Sequence, residues 1–251
     1  MLNIIRTRMK QGYRTGKYPD QAPRLPERFA GMPVIDKAKC KPDCSACAEV
    51  CPVSALSRGD KGLVLDLGRC IFCRACAEAC TPGAIVFSRD HRLTADRRDD
   101  LLLTGDGPRL AEALNRETKR LFGRSLKLRE VSAGGCNACE ADTNVLNTLV
   151  YDLGRFGIQF VASPRHADGI LVTGPVTANM LLALRKTYAA VPAPKVVIAV
   201  GACAISGGMF RENYAAGTGI PDDIPVNLYI PGCPPHPYTI LDGLLRLLGR
   251  I

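Results

Sequence analysis

The run Cys40-Lys41-Pro42-Asp43-Cys44-Ser45-Ala46-Cys47-Ala48-Glu49-Val50-Cys51-Pro52 decides the reading of this chain, and thirty residues on it is repeated as Cys70-Ile71-Phe72-Cys73-Arg74-Ala75-Cys76-Ala77-Glu78-Ala79-Cys80-Thr81-Pro82. Three thiolates spaced about three residues apart wrap a tight loop round three corners of a metal–sulfur cube. The fourth cysteine, next to a proline, reaches across to the neighbouring cube. The expected sets are therefore Cys40, Cys44, Cys47 and Cys80 for one [4Fe–4S] cluster, and Cys70, Cys73, Cys76 and Cys51 for a second. Zinc is the competing reading, but zinc ribbons use two well-separated C-x2-C pairs. Two intervals depart from the standard run. Three residues separate Cys40 from Cys44, and Thr81 stands between Cys80 and its proline; neither change removes a ligand.

Each half of the repeat reads as a cysteine-rich loop, a short helix and a strand. The strand residues are Ala55-Leu56 and Leu63–Leu65 in the first half and Ala84–Phe87 in the second. This predicts an α+β ferredoxin-like domain over residues 40–90.

Outward from the repeat, the chain has 251 residues, 47% of them hydrophobic, enough for two domains with ordinary cores. Its 12 cysteines are thus not needed to staple a small fold. The opening residues do not read as a secretory signal, which argues against a disulfide framework. No stretch reaches the roughly 20 apolar residues a bilayer span requires. The net charge of +9 is concentrated early, with nine Lys/Arg against three Asp/Glu in residues 1–39. Leu2, Ile5 and Met9 can share one side of a short helix in this basic arm. That pattern suits an anionic membrane surface or an acidic partner, or simply a solvated tail. The arm has no aromatic interleaving beyond Tyr13 and Tyr18, and nothing downstream looks like a nucleic-acid module, so no nucleic-acid partner is expected.

Residues 91–124 read as a charged linker ending in a helix, from Leu110, Ala113, Leu114, Thr118 and Leu121 at helical spacing. Strand-like runs then occur at 125–131, 158–161, 169–173, 195–200 and 226–230. Helical patterns occur at about 141–156, 178–190 and 238–248. This alternation predicts an α/β parallel-sheet, flavodoxin-like domain over residues 125–251. Ligands of such sheets sit beyond the carboxyl ends of the strands. Cys136 and Cys139, Cys203, and Cys233 all fall there, in loops rich in glycine and proline, and make a third [4Fe–4S] site. Among other polar residues, His166 is expected in a structural turn, His236 at the start of the last helix, and His91 in solvent. Glu140 suits either a proton relay or a helix cap.

The stretches Ser132–Asp142, Phe156–Thr177, Val196–Gly208 and Asn227–Leu245 resemble the small subunit of membrane-bound [NiFe]-hydrogenases of the formate hydrogenlyase type. That subunit is itself similar to the terminal iron–sulfur subunit of respiratory complex I. The N-terminal part resembles the two-cluster ferredoxin subunit of the same complexes, so the chain looks like a fusion of two neighbouring subunits. Complex I relatives carry two adjacent cysteines at the first position, whereas here Asn137-Ala138 separate Cys136 from Cys139, as in hydrogenases. The resemblance implies an oxidoreductase subunit that relays electrons through three [4Fe–4S] clusters. It implies a large catalytic subunit bearing the [NiFe] site, membrane-arm subunits and an electron-donor subunit or soluble carrier as partners. It also implies a peripheral place on the cytoplasmic side of the membrane. Two alternatives stay open: a nickel-free, complex I-like quinone or ferredoxin oxidoreductase, and a zinc-stabilised interaction module.

Overall fold

The structure, a computed structural model, describes the backbone of all residues except 1, 13, 42, 60–61, 106–108 and 113–115, and the side chains of 116–118 are likewise outside it. Tyr13, Ala113, Leu114 and Thr118 of the sequence reading therefore lie outside the described residues or side chains.

In the first half, α1 (Leu2–Gln11) precedes β1 (Pro33–Ile35), α2 (Ala46–Glu49), β2 (Leu56–Gly59), β3 (Gly62–Asp66), α3 (Ala75–Ala79), β4 (Ile85–Phe87) and β5 (Leu102–Leu103). Each cysteine run thus ends in a one-turn helix and feeds a strand, as the repeat predicts. The strands pair outside the repeat as well as within it. β2, β3 and β5 form one antiparallel sheet, and β1 pairs with β4 to form another. Residues expected in the arm and in the linker therefore supply strands.

The segment after residue 90 is far from a solvated connector. Leu93, Ala95, Leu101 and Leu103 are buried in the same core as Leu56, Leu65 and Ile85. His91, expected in solvent, is only 8% exposed, and its Nε2 lies 3.3 Å from the Tyr18 hydroxyl. Burial depresses its pKa, because the charged imidazolium loses its hydration there.

The second half opens with α4 (Arg116–Phe122), then β6 (Leu126–Ser132), α5 (Ala138–Asn144), β7 (Ile158–Phe160), β8 (Gly169–Thr173), α6 (Ala178–Ala190), β9 (Val196–Val200), α7 (Gly201–Ser206), β10 (Leu228–Ile230) and α8 (Pro237–Leu247). The five strands form one parallel sheet in the order β10-β9-β8-β6-β7. Numbered within this half, that order is 2-1-3-4-5, the flavodoxin-like winding. β8 and β9 are buried along their whole length, as strands covered on both faces must be.

Alternation along β9 shows how the layers are built. Val196, Ile198 and Val200 face the core formed with α8, while Val197 faces the core beneath α6. Ala199 joins the core of the first half, together with Ala204 and Ile205 of α7. The two halves are therefore continuous through apolar contacts. They are also stitched by polar ones: Ala95 and Tyr229 exchange backbone hydrogen bonds, and the Ser206 hydroxyl lies 2.9 Å from the Gly68 carbonyl it can donate to.

One expected helix is corrected. Residues 141–156 do not form a continuous helix: α5 stops at Asn144, and 3-10 turns follow at Val145–Asn147 and Leu153–Phe156. The left-handed backbone of Asp152 (φ 46°) breaks the run, and Leu149 and Val150 are left exposed. Among the described residues, no helix is long and apolar enough to cross a membrane.

Candidate metal centres

The twelve cysteines fall into three groups of four. Cys40, Cys44, Cys47 and Cys80 line one small pocket together with Leu63, Ala84 and Ile85. Cys51, Cys70, Cys73 and Cys76 line a second with Leu56, Leu65 and Phe87. These are the crossed sets expected from spacing: each takes three thiols from one run and the last thiol of the other. All twelve are free thiols in the structure.

The sulfurs are held in place by backbone donors. Ala55 N–H donates to Cys51 Sγ at 3.2 Å, Ala84 N–H to Cys80 Sγ at 3.2 Å, and Phe72 N–H to Cys70 Sγ at 3.3 Å. Such bonds favour the thiolate, the form that binds metal. Burial acts the other way. It pushes the Cys70 thiol up to about 12 and the Cys76 thiol up to about 11, with the neighbouring cysteines adding to the shift. A positively charged metal group in these cavities would reverse that balance, since a coordinating thiol is deprotonated outright.

Side chains with no sequence signal fix the loops. Arg58 on β2 donates to the carbonyls of Lys41 (2.6 Å) and Cys44, pinning the first cysteine loop. Asp66, at the end of β3, accepts from Gly68 N–H (2.8 Å) and from Arg98 Nη2 (2.6 Å), setting the approach to Cys70. Sequence reasoning missed both, because a single Arg or Asp carries no signal of the backbone groups it will meet.

The third group sits beyond the carboxyl ends of the parallel strands. Cys136 and Cys139 follow β6, Cys203 lies in α7 directly after β9, and Cys233 follows β10. Burial drives the Cys139 thiol up, and Cys203, Cys233 and Cys136 reinforce the shift from nearby, as does Glu140. Burial likewise takes Cys203 to about 11, with Cys233 and Cys136 again contributing. Cys136 and Cys233 are exposed, so this group opens to the surface.

Two pieces of backbone make the third group possible. Gly201 has φ +87°, and a Cβ built there would come within 2.5 Å of Cys139 Sγ. A side chain at this position would occupy the space the thiol needs. Asn137, between the two cysteines of the C-x-x-C pair, is left-handed (φ 69°), as is Arg74 (φ 67°) between Cys73 and Cys76. Both pairs use the same turn to send the second cysteine into a helix.

Glu140 does not cap α5. It is 6% exposed, and its Oε1 accepts from the hydroxyls of Ser132 (2.6 Å) and Thr173 (2.7 Å), so the carboxylate lies across the ends of β6 and β8. Glu130, half-buried on β6, is pushed up to about 7 by burial and by the charge of Glu140. His236 caps α8 as expected: its Nδ1 accepts from Tyr238 N–H at 3.1 Å. His166 ends a short 3-10 turn at Pro164–His166, the structural turn expected there.

The residues present fit iron–sulfur clusters. Each group rings a space with four thiols and backbone donors.

Comparison with known proteins agrees with this chemistry. Residues 136–247 match the family described as "NADH ubiquinone oxidoreductase, 20 Kd subunit", and residues 63–86 match the "4Fe-4S binding domain". A probable membrane-bound hydrogenase subunit of Pyrococcus furiosus is 42% identical over 132 residues, 53% of this chain and 79% of that protein. An NADH-quinone oxidoreductase subunit of Citrifermentans bemidjiense is 46% identical, over 47% of this chain and 68% of that one. Formate hydrogenlyase subunit 7 of Escherichia coli is 43% identical, over 51% of this chain and 50% of that one. The chain therefore belongs to the 20 kDa-subunit family shared by hydrogenases and complex I, and is an electron-transfer subunit of an oxidoreductase complex with an iron–sulfur-binding segment ahead of the family domain.

Proposed function

We propose that the chain holds three [4Fe–4S] clusters and relays electrons between a donor and the [NiFe] site of a large hydrogenase subunit, in a formate hydrogenlyase-like complex on the cytoplasmic face of a membrane. One cluster would be held by Cys40, Cys44, Cys47 and Cys80 and a second by Cys51, Cys70, Cys73 and Cys76, the two forming a ferredoxin-like domain. The third would be held by Cys136, Cys139, Cys203 and Cys233. Bound there, each cluster supplies one-electron chemistry at a potential set by hydrogen bonds, charge and solvent access.

The observation that carries the reading is the gathering of the cysteines into three fours that are close neighbours in series. The first two groups touch electrostatically, Cys47 acting on Cys76. Ile71 and Phe72 of the second group share a groove with Cys233 of the third. The chain's own part is to hold the thiolates with amide donors, exclude water from Cys70 with Leu65 and Phe87, and leave Cys136 and Cys233 at a surface a partner can cover. Membrane-arm subunits and a donor subunit or soluble carrier complete the expected assembly.

The separated Cys136 and Cys139 support the hydrogenase branch. The 46% identity to an NADH-quinone oxidoreductase subunit favours a second reading, a nickel-free complex reducing quinone or ferredoxin. Metal analysis of the intact complex separates them. The hydrogenase reading expects nickel and hydrogen evolution from a reduced dye; a complex with neither belongs to the second branch.

A further inference from the structure

None of the described residues of α1 is buried, and Leu2, Ile4 and Met9 are 72–83% exposed. At 100° per residue, Ile5, Met9 and Leu2 fall within about 60° of arc. Arg6 and Lys10 flank this stripe on one side and Arg8 on the other, while Ile4 lies beyond the stripe near Arg8. Arg8 also donates to the Gly12 carbonyl at 2.9 Å, which closes the end of the helix. From residue 2 to residue 19 there are five Lys/Arg and no Asp/Glu. An apolar stripe between long cationic side chains is the pattern of a helix lying in the plane of an anionic lipid surface, its stripe among the acyl chains and its cations at the headgroups.

The root of the arm is firm. Gly16 N–H donates to the Val150 carbonyl at 2.7 Å, and Tyr18 is buried with its hydroxyl on Asp242. Val150 and its neighbour Leu149 are themselves exposed apolar residues where the arm leaves the body.

We propose that α1 binds the anionic surface of a lipid bilayer and attaches the body through the Gly16–Tyr18 root. Charge complementarity commits the site to lipid phosphate rather than to an apolar protein groove, since the stripe is bordered by cations on both sides. The inference deepens the peripheral placement proposed above, but its readout needs neither clusters nor partner subunits.

The test is co-sedimentation of the full chain with vesicles of phosphatidylcholine containing roughly one-third phosphatidylglycerol, and with vesicles of phosphatidylcholine alone. Binding is expected to be at least about tenfold stronger on the anionic vesicles and to weaken as salt is raised. I5D/M9D should reduce it about a hundredfold or more, and R6Q/K10Q about tenfold. Because α1 buries nothing, these variants should keep the fold, checked by unchanged circular dichroism. Absent binding to anionic vesicles, or equal binding by I5D/M9D, overturns the proposal. So does capture of α1 by an acidic partner subunit without any vesicle binding.

Discussion

Cys233→Ala should lower the iron content from about twelve to about eight atoms per chain and reduce electron delivery to the partner subunit to below about 1% of the parent. Cys233 is exposed, so the substitution removes a thiol without opening a core cavity. The effect should be confined to the third group. Its other members stand in the loop after β6 and on α5 and α7, whereas the first two groups are built from the separate loops of residues 40–51 and 70–80. Electron paramagnetic resonance of the reduced variant should keep the signals of the crossed pair and lose one. Twelve irons and full turnover in this variant would mean that Cys233 is not a ligand.

The second large effect is on stability. Asp242 on α8 is fully buried, accepts from the Tyr18 hydroxyl at 2.6 Å and pairs with Arg246 Nε at 2.7 Å. Burial, then the hydrogen bond and charge of Asp242, push the Tyr18 phenol far above its usual pKa, so it stays a neutral donor. Asp242→Ala would strand a largely buried guanidinium and leave the Tyr18 hydroxyl only His91 as a partner, at a cost of about 3 kcal/mol. Tyr18→Phe, which removes one partner but leaves the ion pair, should cost about 1 kcal/mol. Urea unfolding of the two variants checks this, with a clear fall in midpoint for the first and a small one for the second. Equal midpoints for Asp242→Ala and the parent would show that the arm and α8 are not coupled through this network.

What could be read from the sequence follows from the size of each signal. The five-residue apolar runs at Gly169–Thr173 and Val196–Val200 announce buried parallel strands, and the structure has them at those residues. The crossed sets were legible because cysteine spacing encodes them directly. β1 and β5 were not, since strands of two or three residues are too short to show alternation. His91 was hidden because a charged stretch gives no hint of which residue turns inward, and Asp66 because a single acid ending an apolar run gives no hint of its partners. The stretch 141–156 misled for a different reason: Val145, Leu146, Leu149 and Val150 recur at helical spacing, yet only Leu146 of the four is buried, and the chain turns back at Asp152. Periodicity marks which residues could share a face; here the packing needs only one turn of it.

The central claim is that these cysteines hold three four-iron clusters, and iron and acid-labile sulfide per anaerobically purified chain test it most directly. The account predicts about twelve of each, in a brown protein whose visible absorption bleaches on reduction. A colourless chain carrying zinc in place of iron and sulfide would contradict it.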